Sequence, residues 1–246
     1  MHEADKRLAA RAAADEIRSG MVVGLGTGTT VAELIPILAS RVRDGLGIIA
    51  VATSEATAAA ARAHGIEIIA FDDRSMIDLT IDGVDEIDGS LRAIKGAGGA
   101  LLREKIVATA SHRMVAIADG SKRSAAIGSR PISVEILPFA RAFVISKLEA
   151  LGAVATMRMV EGQLAYSDQG NVFADCAFPD LIDPAMIASA LSTIPGLLGH
   201  GLFLTEIDAL YIADAGQVTR HERGTEARRS YSANLEADER ELMEHA

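Results

Sequence analysis

The chain has 246 residues, of which 49% are hydrophobic, with 34 Asp and Glu against 24 Lys and Arg. That length suits one large core or a main domain plus a smaller one, and the acidic balance argues against nucleic acid as a bulk electrostatic partner. The single cysteine, Cys176, excludes an intrachain disulfide and fits a reducing, cytoplasmic setting, while the absence of Trp and the 4% aromatic content argue against a base-stacking site. Charges run throughout the N-terminal stretch, so no secretory signal is expected there, and no apolar run is long enough to span a bilayer.

Ala4 to Ser19, rich in Ala, Arg and Glu, is predicted as a helix closed by Gly20. Met21 to Gly26 is a buried strand feeding a tight turn, and Val31 to Val42 is apolar at helical spacing with Pro36 inside it. Gly47 to Ser54 is the next strand, Glu55 to His64 an alanine-rich helix, and Glu67 to Phe71 another strand. Ile77 to Asp82 alternates apolar and polar residues, the period of a strand. A glycine-rich turn at Lys95–Gly99 then opens a helix to about Ala110, and Arg113 to Asp119 is a further strand. Strands alternating with helices predict an α/β, Rossmann-like parallel sheet with helices on both faces.

The pattern changes near Pro131. Residues 131–138 are strand-like between two prolines, Ala140 to Leu151 is a helix, and Ala153–Val160, Gln163–Tyr166 and Val172–Ala177 are short strands. Pro184 to Thr193 is a helix started by Asp183-Pro184. This order predicts a smaller α+β, ferredoxin-like domain inserted in the main one. Leu202 to Ile212 reads as strands returning to the main sheet. The expected division is 1–130 plus 204–219 for the Rossmann-like domain, 131–203 for the small domain, and a charge-dense tail over 220–246.

Open parallel sheets bind ligands beyond the carboxyl ends of their strands. Five polar or glycine-rich clusters fall at such ends: Gly24–Thr30, Thr53–Ser54, Asp82–Asp88, Lys95–Gly99 and Asp119–Lys122. In the first, glycines let backbone N–H groups approach an anion, with Thr27, Thr29 and Thr30 adding hydroxyls. It is not a dinucleotide fingerprint, since Thr29 stands where a third glycine is needed and the second strand ends in Thr53-Ser54 rather than an acid. Nor is it a Walker A loop, because no Gly-Lys-Ser/Thr follows.

Asp82–Asp88 (DGVDEID) packs four acids into seven residues without calcium-loop spacing. Crowding is expected to raise their pKa values and so to favour proton transfer. Glu104 lies on the helix face of Ala100, Ala108 and Ser111, whose small side chains leave room for a ligand. Lys95 ahead of the glycines supplies a cation for a phosphate or a developing oxyanion, and Lys122 can do the same from another loop. The six histidines are scattered without a zinc pairing, and no G-x-S-x-G elbow occurs. A phosphate cradle, a carboxylate base and one or two lysines suit proton abstraction beside a carbonyl on a phosphorylated small molecule.

The stretches GLGTGTT (24–30), TSEAT (53–57), DGVDEID (82–88), KGAGGALLREKI (95–106) and ADGSK (118–122) resemble, in order and spacing, the motifs of the ribose-5-phosphate isomerase A family. So do PISVEILPFA (131–140), DQGNV (168–172), LIDPAMI (181–187) and IPGLLGHGLF (194–203), which carries the resemblance to about residue 219. It implies interconversion of ribose 5-phosphate and ribulose 5-phosphate in the pentose phosphate pathway, with no cofactor and no metal. By the same resemblance Glu104 is the proton acceptor, and Asp82 and Asp85 assist ring opening and hydroxyl proton transfer. It places substrate contacts at Thr27, Gly28, Thr29 and Thr30, at Asp82, Gly83, Val84 and Asp85, at Lys95, Gly96, Ala97 and Gly98, and at Lys122. Lys6 stands where the family often has a lysine near the site. A cytoplasmic homodimer or homotetramer is implied, with a sugar phosphate as the small-molecule partner and neither nucleic acid nor membrane. Ala97 replaces a usual glycine, Arg130 a common aromatic, and the tail after 219 has no counterpart. The rival readings are a non-enzymatic sugar-phosphate-sensing domain of related fold, which would keep the phosphate loop without needing the base, and a related-fold acyl-CoA transferase.

Overall fold

The computed structural model describes residues 2–72, 74–179 and 183–224. The first part of the chain forms α1 (His2–Ala14), β1 (Val22–Leu25), α2 (Thr29–Arg43), β2 (Ile49–Ala52), α3 (Glu55–Ala63) and β3 (Leu79–Gly83). Two short strands, β4 (Glu86–Ile87) and β5 (Ala93–Ile94), precede α4 (Leu101–Thr109) and β6 (Met114–Asp119). Next come β7 (Ile132–Ile136), α5 (Arg141–Ala150), β8 (Val154–Met157), β9 (Met159–Val160), β10 (Gln163–Leu164), β11 (Val172–Ala177), α6 (Pro184–Ser192) and β12 (Leu197–His200). The described chain closes with β13 (Leu202–Phe203), β14 (Ala209–Asp214) and β15 (Gln217–Glu222).

Six strands make the main sheet, in the order β15-β14-β6-β3-β1-β2. All its pairs are parallel except the β14–β15 hairpin. This is the α/β, Rossmann-like arrangement that the alternating elements predict. Its parallel strands are largely apolar on both faces, as parallel strands covered on two sides must be. Val115 and Ile117 of β6 join Leu25, Leu79 and Ile81 beneath α1 and α2. The intervening Met114, Ala116 and Ala118 pack with Ala108, Phe203 and Ile212 on the opposite face.

The two-residue period of β3 has a consequence for chemistry. Leu79 and Ile81 belong to the α1–α2 face, so Thr80 and Asp82 point to the α4 face. Both are buried there. Thr80 Oγ1 and Ser111 Oγ, just beyond α4, lie 2.6 Å apart. The alternation that marks a half-solvated strand in sequence here delivers a carboxylate into the interior.

A second, antiparallel sheet has the order β12-β7-β11-β8. Ile132, Val134 and Ile136 of β7 pack with Val144 and Leu148 of α5 and Leu191 of α6. Ser133 and Glu135 alternate to the other face, and α4 packs on β7 and β12. A small three-stranded sheet, β13-β5-β4, joins the two halves.

Several expectations are corrected. The helix expected to reach Ser19 ends at Ala14, and Asp15 to Ile17 continue in turns bonded to the third residue back, which tuck Ile17 into the core. α2 passes through Pro36 without interruption. The strand expected at Glu67–Phe71 is only a bridge between Ala50 and Ile68, because the four-residue β2 offers backbone partners to Glu67 and Ile69 at Ala50 alone. β15 carries the main sheet to Glu222, so the first residues expected in the charged tail form an edge strand. Its polarity suits an edge whose side chains face solvent. The rest of that tail, 225–246, lies outside the described residues, as do the first two residues, 181 and 182, of the LIDPAMI stretch.

Gly201, between β12 and β13, ties β7 of the second sheet to the turn that follows β5. Its carbonyl accepts the Lys95 N–H at 2.8 Å and its own N–H donates to the Ser133 carbonyl at 2.8 Å. A Cβ at this position would stand 2.0 Å from the Lys95 carbonyl oxygen, which is backbone and cannot swing aside. Gly201→Ala is therefore expected to destabilise the fold by about 1–3 kcal/mol, the usual scale of overpacking. Urea unfolding measures it, and wild-type stability in the variant would contradict this backbone packing.

Candidate active site

The site begins where β3 ends. Asp82 is fully buried, and its Oδ1 accepts the N–H groups of Thr27 at 3.1 Å and Gly83 at 2.7 Å. Its Oδ2 lies 2.9 Å from Lys95 Nζ. Lys95 follows β5, and its ammonium also donates to the Gly83 carbonyl at 2.5 Å and stands 3.3 Å from Glu104 Oε1. Glu104 arrives from the first turn of α4, only 4% exposed, and its Oε2 is buried with no hydrogen-bond partner. One cation thus serves two buried carboxylates.

That imbalance sets the proton affinities. Burial, and then the charge of Asp82, pushes Glu104 up to about 8, although Lys95 pulls the other way. Burial likewise raises Asp82 against the pull of Lys95 and two backbone N–H groups. Burial alone would depress Lys95, but the charges of Asp82 and Glu104 overcome it and hold the amine above the ordinary lysine value. The two carboxyls titrate as a unit, and such a pair can be half-protonated near neutrality, with one base and one acid side by side.

A cleft opens over this triad. One wall is the β1–α2 turn, Thr27, Gly28, Thr29 and Thr30; a second is Gly83, Val84 and Asp85; a third is Lys95, Gly96 and Gly98. Glu104 and Lys122 complete it. Of the residues expected at the site, Asp82 and Ala97 do not line this cleft. Asp82 lies beneath it, behind Lys95. Ala97 faces an adjoining hollow with Arg130, Arg158 and Asp175, while its N–H donates to Asp85 Oδ2 at 2.9 Å. Its methyl is accommodated, since Ala97 is not among the non-glycine residues of positive φ. Lys6 is not part of the cleft lining and pairs with Glu3 at 3.0 Å.

The N-terminus of α2 faces this cleft with its first-turn N–H groups. Gly28 caps it at φ 114°, a conformation that L side chains rarely adopt, and no side chain caps it and no acid stands in its first turn. Such an end suits an anion. The Thr27 hydroxyl, expected as a ligand donor, is instead engaged at 2.7 Å by Thr53 and 2.9 Å by Ser54. The Thr53–Ser54 cluster therefore braces the turn, and the hydroxyls at the helix end are those of Thr29 and Thr30.

The four acids of DGVDEID do not act as a cluster. Asp82 faces Lys95, Asp85 holds Ala97, and Asp88 pairs with Arg92 at 2.7 Å. Glu86 accepts the N–H groups of Gly128, Ser129 and Arg130. Burial alone would raise Glu86, but these hydrogen bonds hold it below the ordinary carboxylate value, so crowding is not what tunes this stretch.

No sequence motif marked Arg158. Its guanidinium donates to the Gly96 carbonyl at 2.9 Å, to Ser133 Oγ at 2.7 Å and to Asp175 Oδ2 at 3.0 Å, and so holds the Lys95–Gly98 turn against the small sheet.

A family model described as ribose 5-phosphate isomerase A (phosphoriboisomerase A) matches residues 49–217. The chain belongs to the ribose 5-phosphate isomerase A family. The ribose-5-phosphate isomerase A of Sphingopyxis alaskensis is 50% identical over 221 residues, covering 90% of this chain and 97% of that protein. That of Gloeobacter violaceus is 45% identical over 215 residues, covering 87% and 94%. A solved D-ribose-5-phosphate isomerase in complex with phospho-erythronic acid superposes with a TM-score of 0.87 at 33% identity, covering 91% of this chain and all of that one. The ribose 5-phosphate isomerase of Plasmodium falciparum gives a TM-score of 0.85 at 32% identity, with 89% and 98% covered. Among the described residues, no helix is long and apolar enough to cross a membrane.

The raised Glu104 pKa in this isomerase-family site is a statement about stability. The folded value of about 8 lies above the ordinary 4.5, so folding takes up a proton in that window. The associated stability is present below the ordinary carboxylate value and is lost as pH rises through the folded one. Glu104→Gln cannot lose it. The Tm of the variant relative to wild type is expected to climb from about pH 5 to about pH 8. A difference independent of pH would contradict the raised value.

Proposed function

We propose that this chain interconverts D-ribose 5-phosphate and D-ribulose 5-phosphate through an enediolate. The observation that carries the reading is the unpartnered, buried Glu104 Oε2 beside the Lys95 ammonium, in a cleft that also contains an uncapped helix N-terminus. Family membership supports it, as does the binding of phospho-erythronic acid by a solved relative.

The phosphate docks at the N-terminus of α2, on the backbone N–H groups and hydroxyls of Thr29 and Thr30, with Lys122 supplying a positive charge. The open-chain sugar then extends toward Lys95 and Glu104. Glu104 takes the proton from C2 of the aldose, and the electron pair moves through the new C1–C2 double bond onto O1. Lys95 stabilises the enediolate charge in a site that excludes water. The O2 proton passes to O1 by way of Asp85 at the cleft wall, and Glu104 returns its proton to C1 to give the ketose. Oxidation at C2 is balanced by reduction at C1, so no redox cofactor enters. Asp82, beneath the cleft, tunes the Lys95–Glu104 pair and is available for the proton of ring opening.

We take 1–130 with 204–222 as the catalytic domain and 131–203 as the smaller one, and the assembly as a cytoplasmic homodimer or homotetramer. The separate cores on the two sheets support the domain division, the lone buried thiol fits a reducing compartment, and the assembly is carried over from the family resemblance. The deciding assay is turnover of ribose 5-phosphate by wild type and by Glu104→Gln, without added metal. Wild type is expected to turn over, and the variant to lose at least about two orders of magnitude in kcat, the scale of general-base catalysis. Near-normal kcat in Glu104→Gln would remove Glu104 as the base, and an inactive wild type would favour a sugar-phosphate-sensing domain.

A further inference from the structure

Two stretches that carry the family resemblance, PISVEILPFA (131–140) and DQGNV (168–172), have no part in this proton transfer. They meet in the structure through Glu135 of β7 and the turn Ser167–Asn171 (SDQGN). Glu135 is fully buried, and its Oε1 accepts from Ser167 Oγ at 2.7 Å and from Asn171 Nδ2 at 2.8 Å. The Ser167 N–H donates to the Asn171 carbonyl at 2.8 Å, which closes the turn on itself. Both ends of the turn are therefore pinned to the small sheet.

The tip of the turn reaches the main sheet. Asp168 Oδ2 accepts the backbone N–H of Glu55, the first residue of α3, at 2.8 Å. It also stands 3.8 Å from Arg103 Nη1, which is itself 2.9 Å from Glu55 Oε1. The Gln169 amide lies against the same guanidinium, and rotating it so that its oxygen replaces its nitrogen there would let it accept from Nη2 at 2.7 Å and Nε at 2.5 Å. Arg103 is thus held by three residues from two distant parts of the chain.

Arg103 immediately precedes Glu104, and Lys105 immediately follows it. Lys105 is tied elsewhere: its Nζ donates to Glu206 Oε1 at 2.6 Å and to the Leu202 carbonyl, and lies 3.7 Å from the centre of the Phe203 ring. α4 has only nine residues and no side-chain N-cap, so its N-terminal turn is fixed by side-chain contacts rather than by a cap. We infer that the SDQGN turn is a clasp between the two sheets that sets the rotation of α4 through Arg103, and that Asp168 and Arg103 are positioning residues for Glu104. The inference rests on the reading of Glu104 as the base.

The clasp has a signature that distinguishes it from a structural contact. Arg103, Glu55 and Asp168 have side chains 33%, 66% and 34% exposed, and ion pairs this exposed add little stability. The turn ahead of α2 is braced by the Thr53 and Ser54 hydroxyls, bonds in which neither Asp168 nor Arg103 takes part, although Asp168 reaches the N–H of the next residue, Glu55. Loosening the clasp therefore moves the base more than it disturbs binding. Misplacing a reacting group by about 1 Å can cost up to about a hundredfold in rate.

Steady-state kinetics and thermal unfolding of Asp168→Ala, Asp168→Asn, Arg103→Ala and the Asp168→Ala/Arg103→Ala double variant test it, with Glu104→Gln in parallel. Asp168→Ala is expected to lower kcat about tenfold with KM within about twofold and Tm little changed. Asp168→Asn, whose amide oxygen still accepts the Glu55 N–H, recovers most of that loss. The double variant is no slower than Arg103→Ala alone, as expected of residues acting as one unit. Should Asp168→Ala fail to fold, Arg103→Ala carries the same expectation for kcat, KM and Tm. Unchanged kcat, a loss confined to KM, a loss that tracks a fall in Tm, or additive losses in the double variant would each overturn the clasp. A fully active Glu104→Gln would overturn both the base and the clasp, whereas an inactive Glu104→Gln beside a normal Asp168→Ala removes the clasp alone.

Discussion

The Lys95 ammonium, wedged between two buried carboxylates, is the contact on which the rest of this structure depends. A buried charge without a partner is expensive, and removing one member of a buried pair leaves the other uncompensated. Here the compensation is deliberately incomplete. A second cation would hold both Asp82 and Glu104 ionised as weak, inert bases. With no cation, both would stay protonated. One cation between two carboxylates leaves Glu104 raised to about 8 and its outer oxygen without a partner. The fold is built to permit this. Gly26 lets the β1–α2 turn lie directly over Asp82, where a Cβ would come within 1.9 Å of Oδ1, and the short β5 strand presents Lys95 from the opposite side.

Much of this was legible because the signals were local. The GLGTGTT turn announced itself through glycines at a strand end, and its failure to match dinucleotide spacing already pointed to a simpler anion. The alternation of Ile77–Asp82 was read as a strand, and its parity is what carries Asp82 toward α4. The glycine-rich turn and the helix that follows were read together, which placed Lys95 and Glu104 near one another. The burial of Glu104 was not legible. A glutamate on a helix reads as surface, and this one is buried because α4 packs on β3 and turns it toward Lys95 and Asp82.

The rest escaped for the same reason, since it consists of long-range pairings. DGVDEID reads as one acidic cluster, yet its four carboxylates point to four different partners, because the strand and turn geometry around β3 and β4 splays them apart. Arg158 sits in an unremarkable stretch and gains its role only when β8 and β11 bring it to Asp175 and the Gly96 carbonyl. β4, β5 and β13 are two-residue strands, too short for any periodicity. β15 is polar except for Val218, and its pairing with β14 is what makes it a strand.

These long-range contacts divide the site in two. The candidate anion-binding half is built on the main sheet: the β1–α2 turn is braced by Thr53 and Ser54 from the neighbouring strand end, with Asp168 reaching only the Glu55 N–H beside them. The chemical half is backed by the small sheet. Gly201 accepts the Lys95 N–H, Arg158 holds the Gly96 carbonyl, and the missing side chain of Gly199 makes room for Leu101 and Leu102 at the start of α4. A shift of the small sheet would therefore carry Lys95 and Glu104 together, preserving their mutual 3.3 Å contact while drawing Lys95 away from Asp82 and the Gly83 carbonyl, which belong to the main sheet. Because the charge of Asp82 is what raises Glu104 after burial itself, perturbations of the smaller sheet act on Glu104 through charge as well as through distance.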